Sequence, residues 1–401
     1  MMKSPVAQYA VITANYWAFT LTDGALRMLV ILYFHQLGFS PLNIALLFVL
    51  YELFGVITNL WGGWLGTKIG LNVTMQMGLT LQIVALAMLL VDTSLLTAFY
   101  VMVSQALSGI AKDLNKMSAK STIKTLISDD QQLYRWVTLL TGSKNALKGV
   151  GFFLGGVLLA WLGFADTILS MVVMLSLILL ASICLLNKRI GSTRYKAKFT
   201  DIFSNNANIN TLSTARFFLF GARDIWFAVA LPVFLQVQLG WDHTAVGTTL
   251  ALWIIIYGGI QAITPRLTQA VALTSAKKHL LIWGGILLTV TVGVTATTTW
   301  MLSTPIHTGL SLIIGLFIFG GVFAINSSIH SYLIVAYARE DGASMDVGFY
   351  YMANAAGRLV GIILSGLIYQ HYGFVACLLV ASLFIVATLL TCYRLRPTHH
   401  S

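Results

Sequence analysis

A chain of 401 residues that is 58% hydrophobic and only 9% charged, with a mean hydropathy of +0.84, is too apolar for a soluble fold. Its formal charge of +11 suits the cytoplasmic loops of a membrane protein, and no nucleic-acid partner is expected. Three cysteines, Cys184, Cys377 and Cys392, lie in apolar runs without CxxC spacing, which argues against a disulfide framework, a metal site or a cofactor.

In chain order the hydrophobic pattern predicts twelve membrane-spanning helices, at about 9–35, 41–66, 72–91, 95–117, 135–161, 166–187, 209–237, 244–265, 278–298, 306–336, 344–369 and 374–394. The fold class expected is an all-α polytopic membrane protein. Only Lys3 precedes the first span, which contains Asp23 and Arg27, so a cleaved signal peptide is not expected there. Alternate turns contain no Lys or Arg, as at 36–40, 91–94 and 162–166. The opposite set carries Lys68, Lys120, Lys124, Arg135, Lys188, Arg189, Arg266, Lys277 and Arg339, and the tail adds Arg394 and Arg396. Positive charge stays inside, so both termini are expected in the cytoplasm.

The longest polar segment, from Asn187 to Asn210, falls mid-chain. It predicts an N-terminal six-helix bundle over 1–187, a cytoplasmic linker over 188–208 and a C-terminal bundle over 209–401. The two halves match each other. A shift of 210 places Lys148 on Arg358, Gly151 on Gly361 and Gly163-Phe164 on Gly373-Phe374, and a shift of 202 places Gly38 on Gly240 and Asn59 on Gln261. Six spans per half make the repeat parallel, which resembles the major facilitator superfamily, with its substrate site between the halves near the midplane. That superfamily has a Gly-rich loop after its second span. Here Gly63, Gly66, Lys68 and Gly70 fit it as a conformational loop, but Thr67 stands where an Asp is usual, which puts a charged latch in doubt.

The informative residues are charges at depth. A charge at the centre of a spanning helix costs about 2.5–3.5 kcal/mol on insertion scales. Lys112, Lys116, Lys120 and Lys124 recur every fourth residue on the fourth span, and Lys144 and Lys148 repeat that spacing on the fifth. Arg27, Arg223 and Arg358 add guanidinium groups on the first, seventh and eleventh. Against them stand the acids Asp23, Glu52, Asp113 and Asp224, expected in ion pairs or proton coupling together with His330. Even with every acid paired, cations remain, and Arg216 would add another. The surplus predicts an anionic substrate, held bidentately by arginines and as a point charge by lysines, with Arg27 and Arg223 clamping it from either half. Asn145 and Asn354 complete the candidate binding set; Asn115 and Asn326 are further donors, and Trp17, Trp226 and Trp253 read as packing.

Structural readings stand beside these. Asp23 and Arg27, four residues apart, can neutralise one another. Arg223 and Asp224 are adjacent, so their side chains diverge by about 100° and self-pairing is not expected. Lys120 and Lys124 read as cytoplasmic anchors.

The strings NYWAFTLTDGALRML (15–29), SGIAKDLNKMSAKS (108–121), LTGSKNALKGVGFFLGG (140–156) and LFGARDIWF (219–227) together resemble the ArsJ family of bacterial inner-membrane exporters. The resemblance implies efflux of an organoarsenical, 1-arseno-3-phosphoglycerate, made by a partner glyceraldehyde-3-phosphate dehydrogenase, and so resistance to arsenate. It implies a transporter rather than an enzyme, working by alternating access in a lipid bilayer. Two other readings stay open: an organophosphate/phosphate exchanger on the same fold, and a non-transporting anion-sensing receptor.

Overall fold

The computed structural model describes residues 5–39, 47–127, 129–186, 207–241, 243–268, 273–302, 305–339 and 343–396. They form eleven α-helices: α1 (Pro5–Gln36), α2 (Val49–Ile69), α3 (Leu71–Met88), α4 (Ala98–Leu126), α5 (Asp130–Leu185), α6 (Ala207–Phe227), α7 (Ala230–Val237), α8 (His243–Leu267), α9 (Ala276–Met301), α10 (Pro305–Tyr337) and α11 (Ala343–Tyr393). Two short 3-10 turns, Thr93–Leu95 and Leu273–Ser275, complete them, and no strand occurs among the described residues. Of the predicted linker, 188–206 with its basic residues lie outside the described residues, and Ala207 and Asn208 already belong to α6.

Eleven helices accommodate twelve spans because two elements are double and one is broken. Within α5 the backbone leaves the helix at Gly163 (φ 77, ψ −179), and within α11 at Gly373 (φ 76, ψ −176). Only glycine enters this region without strain, so each residue folds one long helix into two spans. α6 and α7 are two parts of one interrupted span. Gly38 and Gly240, at φ 85 and 68, are the second pair matched by the internal repeat.

Among the described residues, eight helical stretches are long and apolar enough to cross a bilayer, the double α5 and α11 among them. α4 is not one of them, because Lys112, Asp113, Lys116, Lys120 and Lys124 occupy its second half. It starts sharply: Thr97 caps α4 by accepting from the Tyr100 amide, and Asp129 caps α5 by accepting from the Gln132 amide at 2.7 Å. Hydroxyls are satisfied within their own helices. On α9, Thr289, Thr291, Thr295, Thr297 and Thr299 each donate to the carbonyl four residues back, a solution available without water.

The chain divides into two compact units. The first comprises Met1–Trp136, Ser143–Phe203 and Ala338–Met352, so it includes the start of α11. Its core joins Leu29, Val30, Leu79, Leu86, Val101 and Ile168. The second comprises Val137–Gly142, Ser204–Tyr337 and Ala353–Ser401. Its core is aromatic: Trp226 meets Phe319 edge-on at 5.0 Å, and Phe234 stacks on Phe374 at 4.6 Å. Phe153, Leu177, Leu383 and Leu390 point outwards, and Trp161, Trp300 and Tyr372 stand exposed near helix ends, the distribution expected of a lipid-facing surface with interfacial aromatics.

Candidate functional site

In the first unit, α1 and α5 touch along small residues. A Cβ on Gly24 would lie 2.7 Å from the Lys148 carbonyl oxygen, and one on Gly151 would overlap the carbonyl of Leu21. This close approach brings the Lys148 ammonium to 3.6 Å from Asp23 Oδ2. Tyr51 of α2 donates its hydroxyl to Asp23 Oδ1 at 2.6 Å. Asp23 therefore does not neutralise Arg27. That guanidinium instead reaches Glu52 Oε1 at 3.1 Å and lies 4.9 Å from each of the Phe48 and Tyr51 rings.

α4 completes the cluster. Asp113 is buried and takes Lys116 at 2.5 Å and Lys112 at 3.6 Å, while Lys112 also stands 4.0 Å from Glu52 Oε2 and 3.9 Å from the Tyr51 ring. Five half-buried cations, Arg27, Lys112, Lys116, Lys144 and Lys148, and the buried Lys120 thus share the unit with Asp23, Glu52 and Asp113, while a further acid, the buried Asp346, is engaged by Arg339 at 2.9 Å. Lys144 and Asn145 lie half-buried on α5. Lys120 is not a surface anchor: it is 3% exposed and donates to the hydroxyl of Tyr351. The reason is that α4 runs on to Leu126, about two turns past the predicted end of the span, and Tyr351 at the start of α11 covers it.

The second unit repeats part of this arrangement with different residue types. A Cβ on Gly361 would lie 2.8 Å from the Gly221 carbonyl oxygen, so α6 and α11 approach as α1 and α5 do. Arg358 Nε donates to Asp224 Oδ2 at 3.0 Å, the counterpart of Lys148 and Asp23. Arg223 reaches Asp224 Oδ1 at 2.6 Å, contrary to the expectation that neighbours diverge. The guanidinium stem is long enough to fold back along the helix, and its plane packs 4.8 Å from the Phe220 ring. One acid therefore serves two arginines.

Arg216, 3% exposed, donates to Asn354 Oδ1 at 3.0 Å and to the Ser327 carbonyl and hydroxyl at 3.1 and 3.0 Å, and lies 3.8 Å from the Phe220 ring. Gln261 donates to Tyr257 and to Ser327 at 2.8 and 3.2 Å. Three guanidinium groups, Arg216, Arg223 and Arg358, share this unit with Asp224, the one deep acid among its described residues. His330 is fully buried, with Nε2 4.0 Å from Cys392 Sγ.

The Gly-rich segment is shorter as a turn than expected. α2 continues through Gly63 and Gly66 to Ile69, and only Gly70, at φ 93, breaks the backbone before α3. Lys68 lies over the Trp64 ring at 4.1 Å, and Gly66 packs against Ser344. Trp226 and Trp253 pack as expected, the latter donating to the Leu316 carbonyl at 2.8 Å. Trp17 is 38% exposed and donates to Ser143.

The residues that sequence reasoning missed are the aromatic ones. Tyr51, next to Glu52, and Tyr351, in a Tyr-Tyr pair, organise the lysines, and nothing in their spacing marks them. No cluster of three or more His, Cys, Asp or Glu suited to a metal occurs among the described residues.

The family model for the Major Facilitator Superfamily matches residues 12–268 and again 212–401. The chain belongs to the major facilitator superfamily. Solved structures of this superfamily type superpose over nearly the whole chain. FucP in its outward conformation does so with a TM-score of 0.77 at 12% identity, covering 99% of this chain and 100% of that one. The human organic anion transporter MFSD10 (TETRAN) follows with 0.75 at 16%, covering 98% and 100%. A bacterial homologue of the iron transporter ferroportin, outward-facing with soaked iron, gives 0.75 at 12%, covering 96% and 98%. At these identities the likeness establishes the fold alone. No curated protein matches the sequence significantly.

As a major facilitator protein the chain is a multi-pass membrane transporter for small substrates. What its own residues add is two deep clusters, each with more cations than acids.

Proposed function

We propose that this transporter exports a small polyanion, 1-arseno-3-phosphoglycerate, from the bacterial cytoplasm across the inner membrane by alternating access. Both termini and the 188–208 linker then face the cytoplasm, between bundles 1–187 and 209–401. The observation that carries the reading is the surplus of cations at depth among the described residues of both units: Arg27, Lys112, Lys116, Lys120, Lys144 and Lys148 against Asp23, Glu52 and Asp113 in one, and Arg216, Arg223 and Arg358 against Asp224 in the other. Desolvated ammonium and guanidinium groups are retained at a cost of several kcal/mol each only where something anionic repays it. Guanidinium forks suit tetrahedral oxyanions, and Arg358 and Arg223 are already engaged by a carboxylate that such a group would resemble.

In this reading Arg27, Lys112, Lys144, Lys148, Arg223, Arg358, Asn145 and Asn354 bind the substrate. Asp23, Glu52, Asp113 and Asp224 hold the cations in its absence, and His330 is a candidate for proton coupling. Gly63, Gly66, Lys68 and Gly70 act in the conformational change. The arsenic itself comes from the resemblance of the strings at 15–29, 108–121, 140–156 and 219–227 to the ArsJ family, which also supplies the dehydrogenase partnership.

The test is arsenic uptake into everted vesicles containing the protein, supplied with arsenate, glyceraldehyde 3-phosphate, NAD and the dehydrogenase, and with each component omitted in turn. Uptake should require the full mixture and disappear in Lys148→Ala and Arg358→Ala. Uptake with arsenate alone would make it a simple oxyanion carrier. No arsenic uptake, with counterflow of phosphate against glycerol phosphates, would make it an organophosphate exchanger.

A further inference from the structure

Two basic stretches far apart in the sequence meet at one end of the second unit. α9 and the last span of α11 pack side by side and antiparallel: a Cβ on Gly284 would lie 2.7 Å from Leu389 Cδ2, and at the start of α9 Lys277 Nζ lies 4.2 Å from the Tyr393 ring centroid. Beyond Tyr393 the Arg394 and Leu395 amides donate back to the carbonyls of Thr391 and Cys392, and Leu395 turns inwards. Asn208 at the start of α6 then ties the chain down, accepting from the Arg396 amide at 3.0 Å and donating to its carbonyl at 3.2 Å. This strap leaves Arg394 and Arg396 exposed at the end of the unit where α9 presents the exposed Lys278 and the half-buried Lys277. The segments that meet there, 207–222, 276–301 and 374–396, contain no Asp or Glu.

Along both helices the surface turns apolar at once. On α9 the exposed Ile282 and Ile286 follow Lys278 at four-residue steps, and on α11 Leu383 and Leu390, each about two-thirds exposed, share a face with Tyr393. A soluble anion would use the cations alone. A phospholipid uses both features, its phosphate against the basic groups and its acyl chains against the apolar stripes, with an aromatic ring at the boundary. The cluster is also remote from the deep arginine pair: Asn208 and Arg223 are fifteen residues apart on α6, about 22 Å of helix axis.

We propose that this end of the second unit is a binding site for an anionic phospholipid. The lipid phosphate sits among Lys277, Lys278 and Arg394, and its chains lie along α9 and the last span of α11. Arg396 adds to the attraction, and the Asn208 pair positions the strap.

The experiment measures dissociation constants of phosphatidylglycerol and phosphatidylcholine with identical acyl chains for the purified full-length protein in a neutral detergent, by native mass spectrometry. Wild type should prefer phosphatidylglycerol by about tenfold. Lys277→Gln with Arg394→Gln should bring that preference below about threefold, and Lys277→Arg with Arg394→Lys should keep it. Arg135→Gln, which removes an exposed cation at the start of α5, should leave it unchanged. Each preference is a ratio taken on one preparation, so loss of folded protein affects both lipids alike. Free glycerol phosphate should fail to displace the bound lipid, since it lacks the chains. Equal binding of the two lipids by wild type overturns the proposal. A loss in Arg135→Gln as large as in the double variant overturns the placement, because any surface cation would then serve. Full displacement by glycerol phosphate overturns the lipid and makes this a site for a soluble anion.

Discussion

Replacing Asp224 by Asn removes one charge at constant shape and strips two arginines of their shared partner. Arg223 and Arg358 meet Asp224 at 2.6 and 3.0 Å, and the carboxylate is 3% exposed. Breaking a buried ion pair from one side costs about 3–5 kcal/mol, because the other charge stays behind. The two arginines differ in what they recover. Arg358 is 32% exposed and regains hydration, whereas Arg223 is 14% exposed and does not, so the lower end, about 3 kcal/mol, is expected. For a unit of this size that lowers the unfolding midpoint by roughly 6–12 °C. A second measurement separates an anion site from a structural ion pair. Phosphate takes the place of the missing carboxylate, and at a hundred times its dissociation constant it restores about 2.7 kcal/mol. The assay is thermal unfolding of the detergent-purified protein with and without phosphate, at constant ionic strength. Asp224→Asn should lose stability in chloride and regain most of it in phosphate, and Arg358→Gln in the same chain should relieve part of the loss. A midpoint unchanged by Asp224→Asn, or one lowered equally in chloride and phosphate, refutes the argument that this carboxylate holds the place of an anion.

The matched pair in the first unit gives a parallel expectation: Lys148→Arg should keep substantial vesicle uptake, and Lys148→Met should abolish it while protein level is maintained, as judged by immunoblot. Gly151→Val places a side chain against the Leu21 carbonyl and must push α1 from α5; uptake should fall more than tenfold, the scale of a misplaced binding group. Gly373→Ala forces a side chain into a backbone region nearly reserved for glycine, at about 1–3 kcal/mol, visible as a lower unfolding midpoint. Replacing Cys184, Cys377 and Cys392 together by Ser, Ala and Ala should leave uptake of the arsenical ester within twofold, since none of them touches the cationic clusters; loss of uptake would point to thiolate chemistry.

The class of fold was legible because a bilayer leaves so few options: apolar runs of spanning length become helices, and their number and charge alternation follow. The paired glycines were legible for a related reason. Gly163 and Gly373 occupy a conformation that other residues reach only with strain, so their 210-residue separation carried real geometric content. Which residues pair was much less legible. Helix spacing ranks neighbours on one helix and is silent about the helix opposite, so it left Asp23 to choose between Arg27 and something else. The close α1–α5 approach at Gly24 and Gly151 makes that choice by carrying Lys148 to Asp23. Projection of Cβ directions also failed for Arg223, since a long guanidinium reaches back over a turn of its own helix where a shorter side chain does not. The tyrosines show the deepest limit. A cation over a ring leaves no charge pattern in the sequence, so Tyr51 and Tyr351 looked like two more apolar residues in apolar helices. Their position decides how the lysine stripe is held: Lys112 and Lys116 share the Asp113 carboxylate, and the Tyr51 and Tyr351 rings take Lys112, Lys116 and Lys120 by their faces.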